Sequence, residues 1–258
     1  MTPPRSTTTT AASSGTGGAS SSASSQTLDR GIRVLEVVTG SAQPPTIAEI
    51  AGELGVHRSI VYRILRTLED RRLVRRDAAG RVHGAPGLAV LARGVEQDLQ
   101  AAALPELTAI SQDLGMSAFV AVWDDQDCTT LVTVEPQQGN LVTQRPGTRH
   151  PLGRGGPGLA IAASLEPDQL AAAAEAGIIQ DPVRPEIAEA RARGHATSRS
   201  EVIAGVCSVA VPLRVPGQLP AAVAVVYADR AEDTEAIGRR LDVGAAAIAA
   251  ALGADSAR

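Results

Sequence analysis

Ser59, Tyr62, Arg63 and Arg66 recur at the i, i+3, i+4, i+7 spacing of one helical face. Hydroxyls and guanidinium groups in such a row can hydrogen-bond phosphate oxygens and base edges in a DNA major groove. Val61, Ile64, Leu65 and Leu68 repeat the spacing two residues on, roughly 200° around a helix turning 100° per residue. A helix over 57–72 therefore packs on one side and offers donors on the other. His57 and Arg58 at its start, Arg76 and Arg81 beyond its end, and Arg30 and Thr46 before it complete the candidate DNA contacts. The bland alternative is an arginine face that is simply solvated.

A second candidate is the run Gly153-Arg-Gly-Gly-Pro-Gly158 entering a helix, with Arg149, His150 and Arg154 close by. Glycines allow close backbone approach, and exposed amides at a helix start attract anions, which suits a carboxylate ligand. A tight turn with solvated arginines fits the same residues. No Gly-Lys-Ser/Thr follows, so this is not a phosphate-binding P-loop. Cys207 and Ser208 lie in an apolar run where a nucleophile would need a base. His195 has no evident partner, and small buried residues are the better reading. Cys128 and Cys207 have neither metal-ligand nor disulfide spacing. No metal and no cofactor is expected.

The elements that must position these groups follow from period and punctuation. Residues 1–25 are nearly all Thr, Ser, Ala, Gly and Pro and read as a disordered tail. Leu28, Ile32, Leu35 and Val38 predict a first helix, ended by Gly40 and Pro44-Pro45. Thr46 and Glu49 form a capping box opening a second helix, and Gly55 supplies the turn into the third. Residues 73–83 read as a β-hairpin around a turn at 77–80. The order is that of a winged helix-turn-helix domain over 26–85, followed by a linker helix within 86–100. Strands are expected at 118–123, 129–134, 141–144, 206–213 and 221–227, and helices at 104–114, 158–164, 167–176, 185–193 and 233–252. Strand clusters separated by a helical block indicate an α+β domain over 101–254 with a mostly antiparallel sheet.

Charge divides along the same line. Net charge is −4 and every one of the 24 basic residues is arginine. Residues 26–84 hold ten Arg against seven acids (+3), and 85–258 hold 13 Arg against 21 acids (−8). A basic module on an acidic remainder is expected where only one end meets phosphate. No apolar run reaches the roughly 18–20 residues of a membrane span, and no basic-then-apolar leader opens the chain. The expectation is a cytoplasmic protein without membrane contact.

Taken in order, Thr27-Leu-Asp-Arg-Gly-Ile-Arg-Val-Leu-Glu36, the stretch from Thr46-Ile-Ala-Glu-Ile-Ala through Leu-Gly-Val-His-Arg-Ser-Ile-Val-Tyr-Arg-Ile-Leu to Glu69, and Leu73-Val-Arg-Arg resemble the IclR family of bacterial transcriptional regulators. His150-Pro-Leu-Gly-Arg-Gly-Gly-Pro-Gly-Leu-Ala160, Arg193-Gly-His-Ala-Thr-Ser-Arg-Ser-Glu201 and Gly205-Val-Cys-Ser-Val-Ala-Val-Pro212 extend the resemblance to about residues 26–252. It implies an effector-binding domain on a curved antiparallel sheet, with homodimers or dimers of dimers on palindromic double-stranded operators. It also implies ligand-pocket positions at Gly153, Arg154, Gly155, Gly156, Ser198, Ser208, Ala224 and Val226. The family often has Cys where this chain has Ser208, and an acid where it has Ser198. The leading expectation is a regulator whose operator binding responds to a small organic acid or related metabolite. A small-molecule enzyme joined to a DNA-targeting head and an effector-free architectural or oligomerisation protein are the competing classes.

Overall fold

The computed structural model describes residues 25–138 and 142–255; apart from Ser25, the tail expected to be disordered lies outside the described residues. The chain divides into two compact units at Arg93/Gly94.

The first unit holds α1 (Gln26–Gly40), α2 (Ile47–Leu54), α3 (Arg58–Asp70), β1 (Val74–Arg76), β2 (Val82–Gly84) and α4 (Gly87–Ala92). Thr46 caps α2 as its sequence requires: its hydroxyl accepts from the Glu49 amide at 3.3 Å, and the Glu49 carboxylate takes the Thr46 amide at 2.7 Å. Gly55 ends α2 in the left-handed region, at φ 64°. The core joins Val34, Ile50, Val61, Leu65 and Val82, all without exposure. Antiparallel β1 and β2 form the wing. Asp77 holds its turn, accepting the Ala79 and Arg81 amides at 2.9 Å and bonding His83.

Two expectations in this unit need correction. Leu28 and Ile32, placed on the packing stripe of the first helix, are 64% and 50% exposed. The buried side of α1 is instead Val34 and Val38. The expected linker helix at 86–96 stops at Ala92, and a new helix starts at Gln97. Between them, Glu96 adopts a left-handed φ of 43° that an α-helix does not accept.

The second unit contains a six-stranded antiparallel sheet in the order β5-β4-β3-β8-β7-β6, built from β3 (Ser117–Trp123), β4 (Cys128–Val134), β5 (Arg149–His150), β6 (Ala196–Arg199), β7 (Val206–Leu213) and β8 (Ala221–Ala228). One face packs on α5 (Gln97–Leu114) and α9 (Thr234–Asp255) through Leu107, Ile110, Val120, Val223 and Leu241. The other packs on α6 (Gly155–Ser164), α7 (Pro167–Glu175) and α8 (Pro185–Arg193) through Phe119, Ala210, Ala224, Leu159 and Ile161. Covered on both faces, the central strands are continuous apolar runs without an in–out alternation.

Here too the boundaries differ from the sequence expectation. α5 runs back through Pro105 to Gln97, beyond the expected start at 104. The strand expected at 141–144 is absent: Leu141 lies outside the described residues and 142–144 are irregular. Side-chain bonds hold that segment instead of a ladder, with Ser117 Oγ donating to the Val142 carbonyl and Gln144 bonding Thr130. On the side away from β3, the partner of β4 is β5, with Cys128 opposite His150. β6, whose Thr-Ser-Arg sequence carries no apolar signal, is an edge strand on β7. α6 starts at Gly155 rather than 158, so the glycine run is its first turn. Among the described residues no helix is long and apolar enough to cross a membrane.

Candidate DNA-reading surface and effector cavity

On α3, Val61, Ile64 and Leu65 are buried and Leu68 is half-buried, while Arg58, Ser59, Tyr62, Arg63 and Arg66 are exposed. The opposed stripes are therefore present as read. His57 caps the helix, its Nδ1 accepting from the Ser59 amide at 3.3 Å with Ser59 Oγ at 2.9 Å. The side chains of Arg58, Arg63 and Arg66 meet no acidic partner among the described residues. Arg30, half-buried on α1, lines the same surface groove as Arg63.

Of the wing arginines, Arg76 and Arg81 are tied down. Arg76 forks onto Glu69, with Nε–Oε1 2.5 Å and Nη2–Oε2 2.6 Å, and its guanidinium lies 6.0 Å from the Tyr62 ring centroid. That bond holds the Glu69 carboxyl below its ordinary range. At 6.0 Å, Arg76 is at the outer edge of a cation–π contact with the exposed Tyr62. Arg81 donates to the Pro44 carbonyl at 2.8 Å and lies 4.0 Å from Glu49. Thr46 is engaged in its cap. Arg75, absent from the expected set, is exposed on the wing with no bonded side-chain partner among the described residues.

In the second unit, the first turn of α6 faces the edge of the sheet. The Gly155 amide donates to Glu201 Oε2 at 2.9 Å, and the Gly156 amide to Ser208 Oγ at 2.9 Å. Glycine is needed at 156 because a Cβ there would lie 2.6 Å from Ser208 Oγ. Glu201 also takes Ser198 Oγ at 3.0 Å and Arg184 Nη1 at 2.6 Å, with Arg154 Nε at 3.5 Å. Burial alone would raise the Glu201 pKa, but the bonds from Arg184, Gly155 and Ser198 outweigh it and lower it.

Beside this cluster is a cavity of about 40 Å³. Its walls include Phe119 and Val226 from the sheet, Pro157 from α6, Ser198 and Ser208, and Val202 and Ile203 from the segment above. Of the expected effector residues, Gly155, Ser198, Ser208 and Val226 line it. Gly156 holds Ser208 in place, and Arg154 is half-exposed beside Glu201. Gly153 and Ala224 are not among the lining residues; Gly153 turns the chain at φ 75° against Ile179. Sequence reading missed Glu201 and Arg184 as site residues, because their partners are distant in the chain. It also missed the buried Gln144, whose Nε2 donates to Thr130 Oγ1 and to His150 Nε2, both at 2.8 Å.

Burial lowers the His150 pKa, partly offset by Asp127, so the folded imidazole stays neutral. The unfolded chain takes up this proton below about pH 6.5 and the folded one only at lower pH. Stability therefore falls as pH drops from about 7 to 5.5, and His150→Gln flattens that slope. Urea unfolding across this range checks it; equal slopes in the two proteins count against it.

Cys207 sits on the opposite sheet face, buried toward α9, where burial and Asp229 raise its thiol pKa. His195 packs against Gly238 with Nε2 3.9 Å from Glu235. Neither environment activates a nucleophile. Among the described residues no cluster of His, Cys, Asp or Glu is placed to hold a metal.

The IclR helix-turn-helix domain model matches residues 27–78, and the bacterial transcriptional regulator IclR C-terminal model matches residues 93–252. The HTH-type transcriptional regulator Rv1719 of Mycobacterium tuberculosis is 30% identical over 199 residues, 73% of this chain and 77% of its own length. An IclR transcriptional regulator from Alicyclobacillus acidocaldarius superposes with TM-score 0.75 at 24% identity, covering 88% of this chain and 99% of that one. An IclR homolog from Microbacterium hydrocarbonoxydans, complexed with 4-hydroxybenzoate, gives TM-score 0.77 at 22% identity, covering 89% and 100%. At these identities the two structures show the shared fold.

Proposed function

The chain belongs to the IclR family of transcriptional regulators, and from that premise we propose that a small organic acid entering the α6 cavity changes its hold on a palindromic operator. The observation that carries the DNA half is the α3 face, where Ser59, Tyr62, Arg63 and Arg66 stand exposed opposite a buried apolar stripe. A carboxylate effector is supported by the 4-hydroxybenzoate in the fold neighbour. The serine hydroxyls and apolar floor beside the α6 start suit such a molecule. The effector acts through unequal affinity for two arrangements of the protein, as linkage requires.

Leu28 and Ile32 on α1, and Val90 and Leu91 on α4, are at least half exposed. Apolar stripes of this kind suit a second copy of the chain, giving the homodimer, or dimer of dimers, that a two-fold operator needs. The protein acts in the cytoplasm, where the DNA is. An enzymatic role for the second unit draws no support from Cys207 or His195.

Selection of bound DNA from a random-sequence duplex library tests the proposal. An enriched inverted repeat, with half-sites about one helical turn or a multiple apart, is the expected product, and benzoate or 4-hydroxybenzoate shifts its affinity. Enrichment of no repeat overturns the operator reading. Operator binding indifferent to a broad panel of organic acids overturns the effector reading.

A further inference from the structure

The backbone donors at the start of α6 are already spent. Gly155 gives its N–H to Glu201, Gly156 gives its own to Ser208, and Pro157 has none. An incoming carboxylate therefore finds no free amide there and meets the charge of Glu201. The carboxylate in place belongs to the protein.

Glu201 is carried by the segment that covers part of the cavity. Val202 and Ile203, which follow it, line the cavity yet are 46% and 53% exposed, as a thin cover would be. The segment is bounded by Ser200 at φ 52° and Gly205 at φ 76°. Its base is pinned by the Ser200 amide on the Val206 carbonyl at 2.8 Å and the Gly205 amide on Ser200 Oγ at 3.1 Å. With about 40 Å³ of space the cavity holds a few waters and has no room for an aromatic ring. An aromatic acid enters only if this cover lifts.

We infer that Glu201 is a tethered stand-in for the effector's carboxylate, and that ligand binding exchanges the two at the Gly155 amide and so releases the cover over residues 200–205. The inference rests on the organic-acid reading above. In the exchange, Ser198 Oγ turns its proton from Glu201 to the ligand. Glu201 is not stranded: Arg184, which also bonds the Gly153 carbonyl and Glu186, is only partly buried and stays within its reach, and Arg154 lies alongside. A tethered competitor acts at millimolar or higher effective concentration. Acetate, with no apolar body, loses to it. A carboxylate bearing a ring gains contact with Phe119, Pro157 and Val226 and wins. Glu201 thereby sets specificity for bulky over small acids.

The test uses the full chain as wild type, Glu201→Ala and Glu201→Gln, titrated calorimetrically with benzoate, acetate and neutral benzamide. Near-UV circular dichroism establishes folding, and the glutamine variant serves if the alanine variant is unfolded. Benzoate is expected to bind a folded variant at least about 10-fold tighter than wild type, acetate to become detectable, and benzamide to change little. In wild type, benzoate is expected to speed amide exchange over 200–205. Unchanged or weaker benzoate binding in both variants overturns the exchange, as does slower exchange over 200–205 on benzoate binding. Carboxylates that bind all three proteins alike sink the exchange alone. Benzamide binding with no carboxylate binding to any of them sinks the organic-acid reading with it.

Discussion

Arg63→Ala is expected to weaken operator binding by about 1–3 kcal/mol, roughly 5- to 150-fold, with the melting temperature unmoved beyond about 2 °C. Arg63 is exposed on the donor face of α3, with no acidic partner among the described residues, so its removal leaves no buried charge and opens no cavity in the first unit. The loss therefore falls on the complex. Titration against cognate and scrambled duplexes separates two roles. A base contact loses affinity for the cognate site and relaxes preference at one position; a phosphate contact loses affinity on all sequences and lowers the salt slope by about one. Arg76 is the instructive contrast. Its guanidinium is bound to Glu69 and lies 6.0 Å from the Tyr62 ring centroid, so Arg76→Ala is expected to act by freeing Glu69 and loosening Tyr62. A folded Arg63→Ala protein with full operator affinity would remove α3 as the reading helix.

The difference between the two units in legibility has a physical origin. The α3 face was readable because both stripes lie within one helix, where a period of 3.6 residues decides which side chains share a side. The α2 cap was readable because Thr46 and Glu49 are three residues apart. Period does not say what an apolar stripe packs against, and Leu28 and Ile32 show it: their spacing fits α1, yet they face outward. The candidate effector site depends on bonds that no local window holds. Gly155 and Glu201 are 46 residues apart, and Gly156 and Ser208 are 52. Gly-Gly-Pro-Gly has poor intrinsic helix propensity, and α6 begins there because Glu201 and Ser208 receive its first amides. β6 was hidden for the same reason. Its polar sequence reads as loop, and only pairing with β7 makes it a strand.

Gly158→Ala carries the same lesson as a sign. In a helix interior this change ordinarily stabilises, by about 1 kcal/mol. Here the added Cβ would lie 2.4 Å from the Pro151 carbonyl oxygen and 3.2 Å from the Gly153 nitrogen. Both are backbone atoms, so no side chain can rotate out of the way. The Gly153 amide also donates to the Gly158 carbonyl at 3.0 Å, fastening the turn to the helix at the point of conflict. The turn carries Leu152, which is buried, and Gly153 itself abuts Ile179, so it cannot retreat without repacking the core. Forced overpacking costs about 1–3 kcal/mol and occasionally more, and a backbone clash belongs at the upper end. After the propensity gain, a net loss of about 2 kcal/mol remains, a fall of roughly 4–8 °C for a unit of this size. Benzoate affinity should fall with it, since the Gly155 and Gly156 amides follow directly on the displaced turn. Calorimetric melting of wild type and variant decides the matter. A melting temperature that holds or rises would show that the 151–153 turn yields, and that close packing is not what requires glycine at the start of α6.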